Sequence, residues 1–312
     1  MKLLVFGAGA VGGYFGTRMV QAGLDVTFFV RVSRACQLKK HGLSVLSPSG
    51  NVMIAPKLIT EHDDGQNFDL IILTCKSYDL VNAFDAISNS VKNEPPILPL
   101  LNGLAHLQMI AKVFGKHRLL GGAAHVATVL TQEGKVKQLN PIEILTIGAL
   151  SSHTESVVER FTKLCKTSTF KVIKSSDIMQ SMWDKWTFLA ALAGSTILFR
   201  NTVGAITETS LGCDLMKRIY DECINVANAE GFDVEARPQK TSLSILMKPG
   251  SDFTSSMLRD LKNGNRTEHE QILGDLLKKA KKKQIDVPLL SAAYISIVVE
   301  SSKFAIQADS TI

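Results

Sequence analysis

No stretch of this 312-residue chain is apolar for long enough to cross a bilayer. The most apolar segment, 188–199, is interrupted by Gly194, Ser195 and Thr196, and a spanning helix needs about 20 residues. A secretory leader pattern is also lacking, because only Lys2 precedes the apolar run 3–6 and Gly7 ends it. A cytoplasmic protein without a membrane partner is expected. Cysteine is sparse and irregular: Cys36, Cys75, Cys165, Cys213 and Cys223 form an odd set with no C-x-x-C pair. That spacing excludes a disulfide framework and a zinc cadence, and reduced, mostly buried thiols are expected instead. The histidines are scattered with no H-x-x-x-H pair, so no metal site is expected. Aromatics do not interleave with the densest basic run, 278–283. That run continues the helical pattern of Ile272, Leu276 and Leu277, so it reads as a solvated helix face and not a nucleic-acid surface. There is no internal repeat and no low-complexity tract.

What is present is an ordinary globular balance, 45% hydrophobic and 21% charged, in a chain long enough for two cores. The net charge of +6 favours anionic ligands such as a phosphorylated cofactor or a carboxylate. In the first half, short apolar runs alternate with helical stretches, the pattern of a parallel sheet built from β-α-β units. The spacing predicts strands at 3–6, 26–30, 70–74, 97–101, 125–130, 143–147 and 170–173, with helices at 11–22 and 156–165. After about Asp177 strand patterns vanish. Helical patterns cover 178–199, 210–230, 253–261, 268–283 and 289–302, separated by turn signals such as Lys248-Pro249-Gly250 and Asn263-Gly264-Asn265.

Gly7-Ala8-Gly9-Ala10-Val11-Gly12 is a G-x-G-x-x-G directly after a strand and at the opening of a helix. In that context the first glycine permits a tight turn and the second lets backbone approach a pyrophosphate. The third lets helix and strand pack closely, and the helix N-terminus offers free N–H groups to the anion. The expected fold is therefore α/β: a Rossmann dinucleotide-binding domain over 1–176, followed by an all-helical domain over 177–312. The end of the second strand selects the cofactor. No acid stands between Val26 and Ala35 to accept a ribose 2′-hydroxyl; Arg31 follows Val30 and Arg34 comes one turn later. A guanidinium grips a 2′-phosphate with paired hydrogen bonds, so NADP (NADPH) is the expected cofactor, with Arg31 as its ligand.

Over nearly its full length the chain resembles the ketopantoate reductases (2-dehydropantoate 2-reductases). The matching pieces are the N-terminal GAGAVGGYFG, Arg31, Lys76 after strand 70–74, and Asn102-Gly103 after strand 97–101. The second half adds Trp183-Asp184-Lys185, the run Ser255-Ser256-Met257-Leu258-Arg259-Asp260, and Arg266-Thr267-Glu268 with Gly274 beyond it. The resemblance implies that Lys185 is the general acid for the carbonyl being reduced and that Glu268 orients it. It implies that Ser256 holds the substrate carboxylate, with Asn102 close to substrate and nicotinamide. Lys76 would lie near the cofactor and the substrate carboxylate.

The residues themselves support part of this. Lys185 precedes the apolar turns Leu189-Ala190-Ala191-Leu192-Ala193, and partial desolvation there lowers an amine pKa, while a partner carboxylate keeps it charged. Without the resemblance, Lys185 also reads as a lysine whose stem covers apolar surface, and Glu268 as a first-turn helix acid. The family commonly carries asparagines four and eight residues after the lysine, and another just past that helix. Here those positions are Leu189, Ala193 and Val203. The expected activity is NADPH-dependent reduction of a 2-oxo acid: ketopantoate to pantoate, for pantothenate synthesis, or a more apolar relative. A non-catalytic NADP-binding sensor is the reading from another class, and retention of both Lys185 and Glu268 argues against it. The expected partners are the small 2-oxo acid and, as an option the sequence leaves open, a second copy forming a homodimer.

Overall fold

The computed structural model describes residues 1–309, with side chains through Ser302. It divides into two units, Met1–Leu101 with His106–Ser181, and Asn102–Ala105 with the chain from Met182 onward. In the first unit the elements are β1 (Lys2–Phe6), α1 (Ala10–Gln21), β2 (Asp25–Phe29), α2 (Val32–His41), β3 (Leu43–Leu46), β4 (Val52–Ile54), β5 (Lys57–Ile59) and β6 (Leu70–Leu73). Then come α3 (Leu80–Ser90), β7 (Ile97–Pro99), α4 (Ala105–Phe114), β8 (Leu120–Leu130), β9 (Val136–Ala149), α5 (Glu155–Leu164) and β10 (Lys171–Lys174).

One sheet has the order β5-β2-β1-β6-β7, with every pair parallel. Its central strands are apolar without alternation, and Leu3, Leu4, Leu70 and Ile71 are each 0% exposed. That is the mark of a parallel sheet covered on both faces. The second sheet runs β10-β9-β3-β4, with β8 on β9, and is mixed. The strands expected at 125–130, 143–147 and 170–173 belong to it, so one parallel sheet does not account for the whole first half. The reason is connection length. Only residues 131–135 join β8 to β9, and a parallel crossover needs a dozen or more, so the pair closes as an antiparallel hairpin.

Tyr14 on α1 ties the glycine-rich helix to this second sheet. Its hydroxyl lies against the side-chain oxygens of both Gln138 (2.9 Å) and Glu143. Ser47 and Ser49 bond the same two residues. Burial first, then Glu143, pushes the Tyr14 phenol above its ordinary pKa.

The second unit takes in most of α6 (Ile178–Phe199), then α7 (Val203–Thr207), α8 (Gly212–Ala229), α9 (Ala236–Leu246), α10 (Ser256–Lys262), a π-helical turn at Glu270–Gly274, α11 (Asp275–Lys282) and α12 (Pro288–Asp309). Among its described residues there is no strand. Trp183 and Trp186 on α6 are each 1% exposed. Trp183 stacks on Phe232 at 5.3 Å, and Trp186 Nε1 donates to the Ile272 carbonyl at 3.0 Å. Glu222 on α8 accepts from the N–H groups of Leu289 (3.0 Å) and Leu290 (2.8 Å), so a side chain 67 residues away caps α12. No helix among the described residues is long and apolar enough to cross a membrane. The cysteines differ from expectation in one respect. All five are free thiols, but only Cys165 and Cys223 are buried, and Cys36 is exposed. Cys36 sits on α2, where only Ala35 and Leu38 are buried.

Candidate active site

The glycine turn follows β1 and opens α1. Gly7 has φ +104°, in the left-handed region that favours glycine. A Cβ on Gly12 would come within 2.1 Å of the Gly7 carbonyl oxygen and 2.2 Å of Thr74 Oγ1. Only glycine fits there. Around Gly9, by contrast, a Cβ would meet nothing within 4 Å, which leaves the backbone open on the side a ligand approaches. Gly9 is the N-cap of α1 with no side-chain cap, and no acid occupies the first turn, so the leading N–H groups keep their pull on an anion. These observations fit a dinucleotide pyrophosphate over the residues Gly7, Ala8, Gly9, Ala10, Val11 and Gly12. Thr74, just past β6, holds the turn in shape. Its hydroxyl lies 2.9 Å from the Phe6 carbonyl and 3.1 Å from that of Gly7. In the sequence it was visible only as a polar residue ending a strand.

The ribose end departs from the pairing of arginines that the sequence indicates. Arg31 is the N-cap of α2 and is well exposed. Its guanidinium pairs with the Asp79 carboxylate at 3.0 Å. Arg34 turns elsewhere: it donates to the Ala8 carbonyl (3.2 Å) and the Gly134 carbonyl (2.9 Å), and bonds Gln37. It therefore braces the glycine turn against the β8–β9 hairpin. Burial lowers its guanidinium pKa, although an arginine stays charged. Lys76 lies beyond β6, half-buried, immediately before the short turn that leads into α3. The first unit thus gathers the glycine turn, Arg31 and Lys76 at the carboxyl ends of β1, β2 and β6.

Within the second unit, Lys185 lies on α6 and Glu268 just before the π-helical turn. Lys185 is half-buried on α6. Burial lowers its pKa to about 8, and the Glu268 carboxylate opposes that shift. Glu268 is itself 6% exposed. The Trp186 bond to Ile272 fixes α6 against the π turn, so the residue following Lys185 anchors its helix to the turn that begins two residues after Glu268. Asn102 belongs to the same unit. Its neighbour Gly103 has φ +74°, and a Cβ there would fall 2.6 Å from the Gln271 carbonyl oxygen. The chain at Asn102 therefore lies directly against the π turn.

Ser256 is exposed at the first position of α10, while Ser255 is the cap and accepts from Leu258 N at 3.1 Å. The Ser255 hydroxyl also meets Thr196 Oγ1 at 2.7 Å. Thr196 is three helical turns past Lys185, so α10 starts about 16 Å along α6 from that lysine. Lys185, Glu268 and Asn102 thus cluster around the π turn, and Ser256 lies toward the other end of α6.

Two family models match the chain: Ketopantoate reductase PanE/ApbA over residues 3–152, and Ketopantoate reductase PanE/ApbA C terminal over residues 177–297. An uncharacterized oxidoreductase, YkpB of Bacillus subtilis, is 33% identical, covering 95% of this chain and 98% of its own. A 2-dehydropantoate 2-reductase of Halobacterium salinarum is 25% identical, with 93% and 95% covered. Among solved structures, a D-mandelate dehydrogenase with NADH and anilino(oxo)acetate superposes with TM-score 0.87 at 22% identity, covering 98% of this chain and 100% of that one. A PanE/ApbA family ketopantoate reductase from Ralstonia eutropha gives the same TM-score of 0.87 at 21% identity, with 98% and 100% covered. A Rossmann-type first half, a helical second half and matches to both family models lead to one assignment: the chain belongs to the ketopantoate reductase family, and so is an NAD(P)-dependent oxidoreductase that reduces 2-oxo acids.

Proposed function

We propose that this protein reduces a 2-oxo acid to its 2-hydroxy acid with NADPH, the first unit holding the cofactor and the second supplying the proton. The observation that carries this reading is the half-buried Lys185 under the influence of the buried Glu268 carboxylate, with the lysine pKa brought down to about 8. NADPH bound at the glycine turn would supply the hydride. Lys185 holds the proton at Nζ for the carbonyl oxygen as negative charge develops there, and its positive charge stabilises that oxygen before transfer. Glu268 keeps the ammonium charged and aimed. Asn102 and Lys76 are assigned to the cofactor and the keto-acid end, Ser256 to the substrate carboxylate, and Arg31 to the 2′-phosphate. In the cytoplasm this chemistry on ketopantoate would yield pantoate for pantothenate synthesis.

A second reading keeps the chemistry and changes the acid. Leu189 lies one turn beyond Lys185, on the same face of α6, and remains partly accessible. The polar residues further along the chain that could compensate are held by other groups or enclosed in the packing. Thr196 bonds the Leu192 carbonyl and Ser255, Ser195 is 0% exposed, and the Asn201 side chain accepts from Thr202 N. The substrate's far end then meets apolar surface. Oxidation of NADPH measured against a panel of branched, aromatic and hydroxylated 2-oxo acids tests both readings. Turnover of none of them would overturn the assignment; turnover of an apolar acid in preference to ketopantoate selects the second.

A further inference from the structure

Arg31 does not stand alone at the ribose end. Its partner Asp79 is 30% exposed, against 74% for Arg31 itself, and the two are 3.0 Å apart. Arg31 follows β2 and Asp79 comes a few residues after β6, and these strands are the two neighbours of β1. The ion pair therefore bridges the strand ends on either side of the glycine turn. In an open parallel sheet the adenosine ribose of a dinucleotide lies beyond the end of the second strand, beside that turn. The other nearby guanidinium is taken up by structure, since Arg34 holds the carbonyls of Ala8 and Gly134.

We propose that Asp79 is a cofactor-specificity residue. It rests on the cofactor half of the reading above. A 2′-phosphate arriving at Arg31 must displace the Asp79 carboxylate or sit beside it, like charge against like charge. A 2′-hydroxyl meets the opposite situation, an acceptor already in place. The acid that NAD enzymes carry at the end of the second strand is here reached from the other neighbour of β1. Arg31 favours NADPH, Asp79 offsets that preference, and the affinity ratio of the two cofactors is compressed toward dual use.

The test is titration of NADPH and NADH, followed by nicotinamide fluorescence, into the full-length wild type and the variants D79N, D79E, R31A and R31A/D79N. Removing the carboxylate should tighten NADPH roughly threefold to tenfold, the scale of one partly exposed charge contact. NADH should be unchanged or weakened by D79N. D79E keeps the charge and should keep the wild-type ratio. In the R31A background the gain from D79N should shrink, because only repulsion of the phosphate is then relieved. An unchanged ratio in D79N, or an equal change for both cofactors, would overturn the proposal. A wild type that prefers NADH, with D79N still raising the NADPH share, would remove the NADPH preference and leave this role for Asp79 intact. Binding of neither cofactor by any of these proteins would remove both.

Discussion

Lys185 is under two opposing influences, and their balance sets a pH range for the reaction proposed here. Burial favours the neutral amine and Glu268 favours the ammonium, leaving the pKa at about 8. A proton donor with that pKa is protonated below pH 8 and progressively empty above it. The rate of 2-oxo acid reduction should therefore fall about tenfold per pH unit on the alkaline side. Glu268→Gln removes the influence that raises the pKa, so the falling limb should move to lower pH; a limb that stays in place would assign the titration to another group. Lys185→Ala should lower kcat by ~10²–10⁴ while NADPH affinity, measured by fluorescence, changes little. A variant with near wild-type kcat would return Lys185 to a packing role. The same shift bears on stability. Between about pH 8 and the ordinary lysine value of 10.5, the unfolded chain holds a proton that the folded chain has released. Stability gains from this group as pH rises through that window, and the gain is absent below it.

Among the elements, the turn between β1 and α1 depends on a side chain from a third element, Thr74. Thr74→Val keeps the shape and removes the hydroxyl contacts to the carbonyls of Phe6, at the end of β1, and Gly7, in the turn. It should cost about 1 kcal/mol in urea unfolding and weaken both nicotinamide cofactors together, unlike a change at Arg31 or Asp79. Equal stability and unchanged cofactor binding would show that the turn holds itself. The elements that sequence patterns revealed are those whose signal is local. β6 and β7 are unbroken apolar runs, β1 is one after Lys2, β2 is rich in β-branched and aromatic residues, and α6 was expected over 178–199, the span it occupies. β8 and β9 are longer than the segments expected at 125–130 and 143–147. Gly121 and Gly122 dilute the first, and in the second Asn140 and Pro141 fall where the register shifts between Val126–Glu143 and Thr128–Gln138. β3, β4 and β5 have only three or four residues each, too few to display a period. In the candidate site, the glycine turn was legible because its mechanism prescribes spacing. The destination of Arg34 was not, because its partners Ala8 and Gly134 lie 26 and 100 residues away. Asp79 was invisible for the same reason: its significance depends on the strand order, which puts β6 beside β1.

For the molecule as a whole, the open choice is the substrate, and it hinges on three family asparagine positions that are apolar here. Val203 is 0% exposed, with its N–H donating to the Phe253 carbonyl at 2.9 Å, and Ala193 is 2% exposed. Both have become part of the packing of the second unit, and only Leu189 keeps accessible surface. Ketopantoate carries a terminal hydroxyl, and leaving it buried without a partner costs roughly 1–3 kcal/mol. Ketopantoate should therefore be turned over less efficiently than an aliphatic or aromatic 2-oxo acid when kcat/KM values are compared. A ketopantoate kcat/KM above ~10⁴ M⁻¹s⁻¹, in the ordinary range for enzymes and unmatched by the other acids, would show that some other group receives the hydroxyl. Leu189→Asn provides the converse check, since it should improve ketopantoate selectively.

The π-helical turn at Glu270–Gly274 bears on how this chain tolerates changes of length. A π turn holds one residue more than the α-helical turn it replaces, so it behaves as a single-residue insertion absorbed without unwinding the helix. Loss of one residue here would let an ordinary helix re-form, at the cost of rotating everything before it by about 100° relative to α11. Glu268 would swing away from Lys185, and the carbonyls facing Gly103 and Trp186 would change identity. Descendants of this chain can shorten their surface loops at little cost. At residues 270–274, a deletion that leaves the fold standing would still take apart the charge pair.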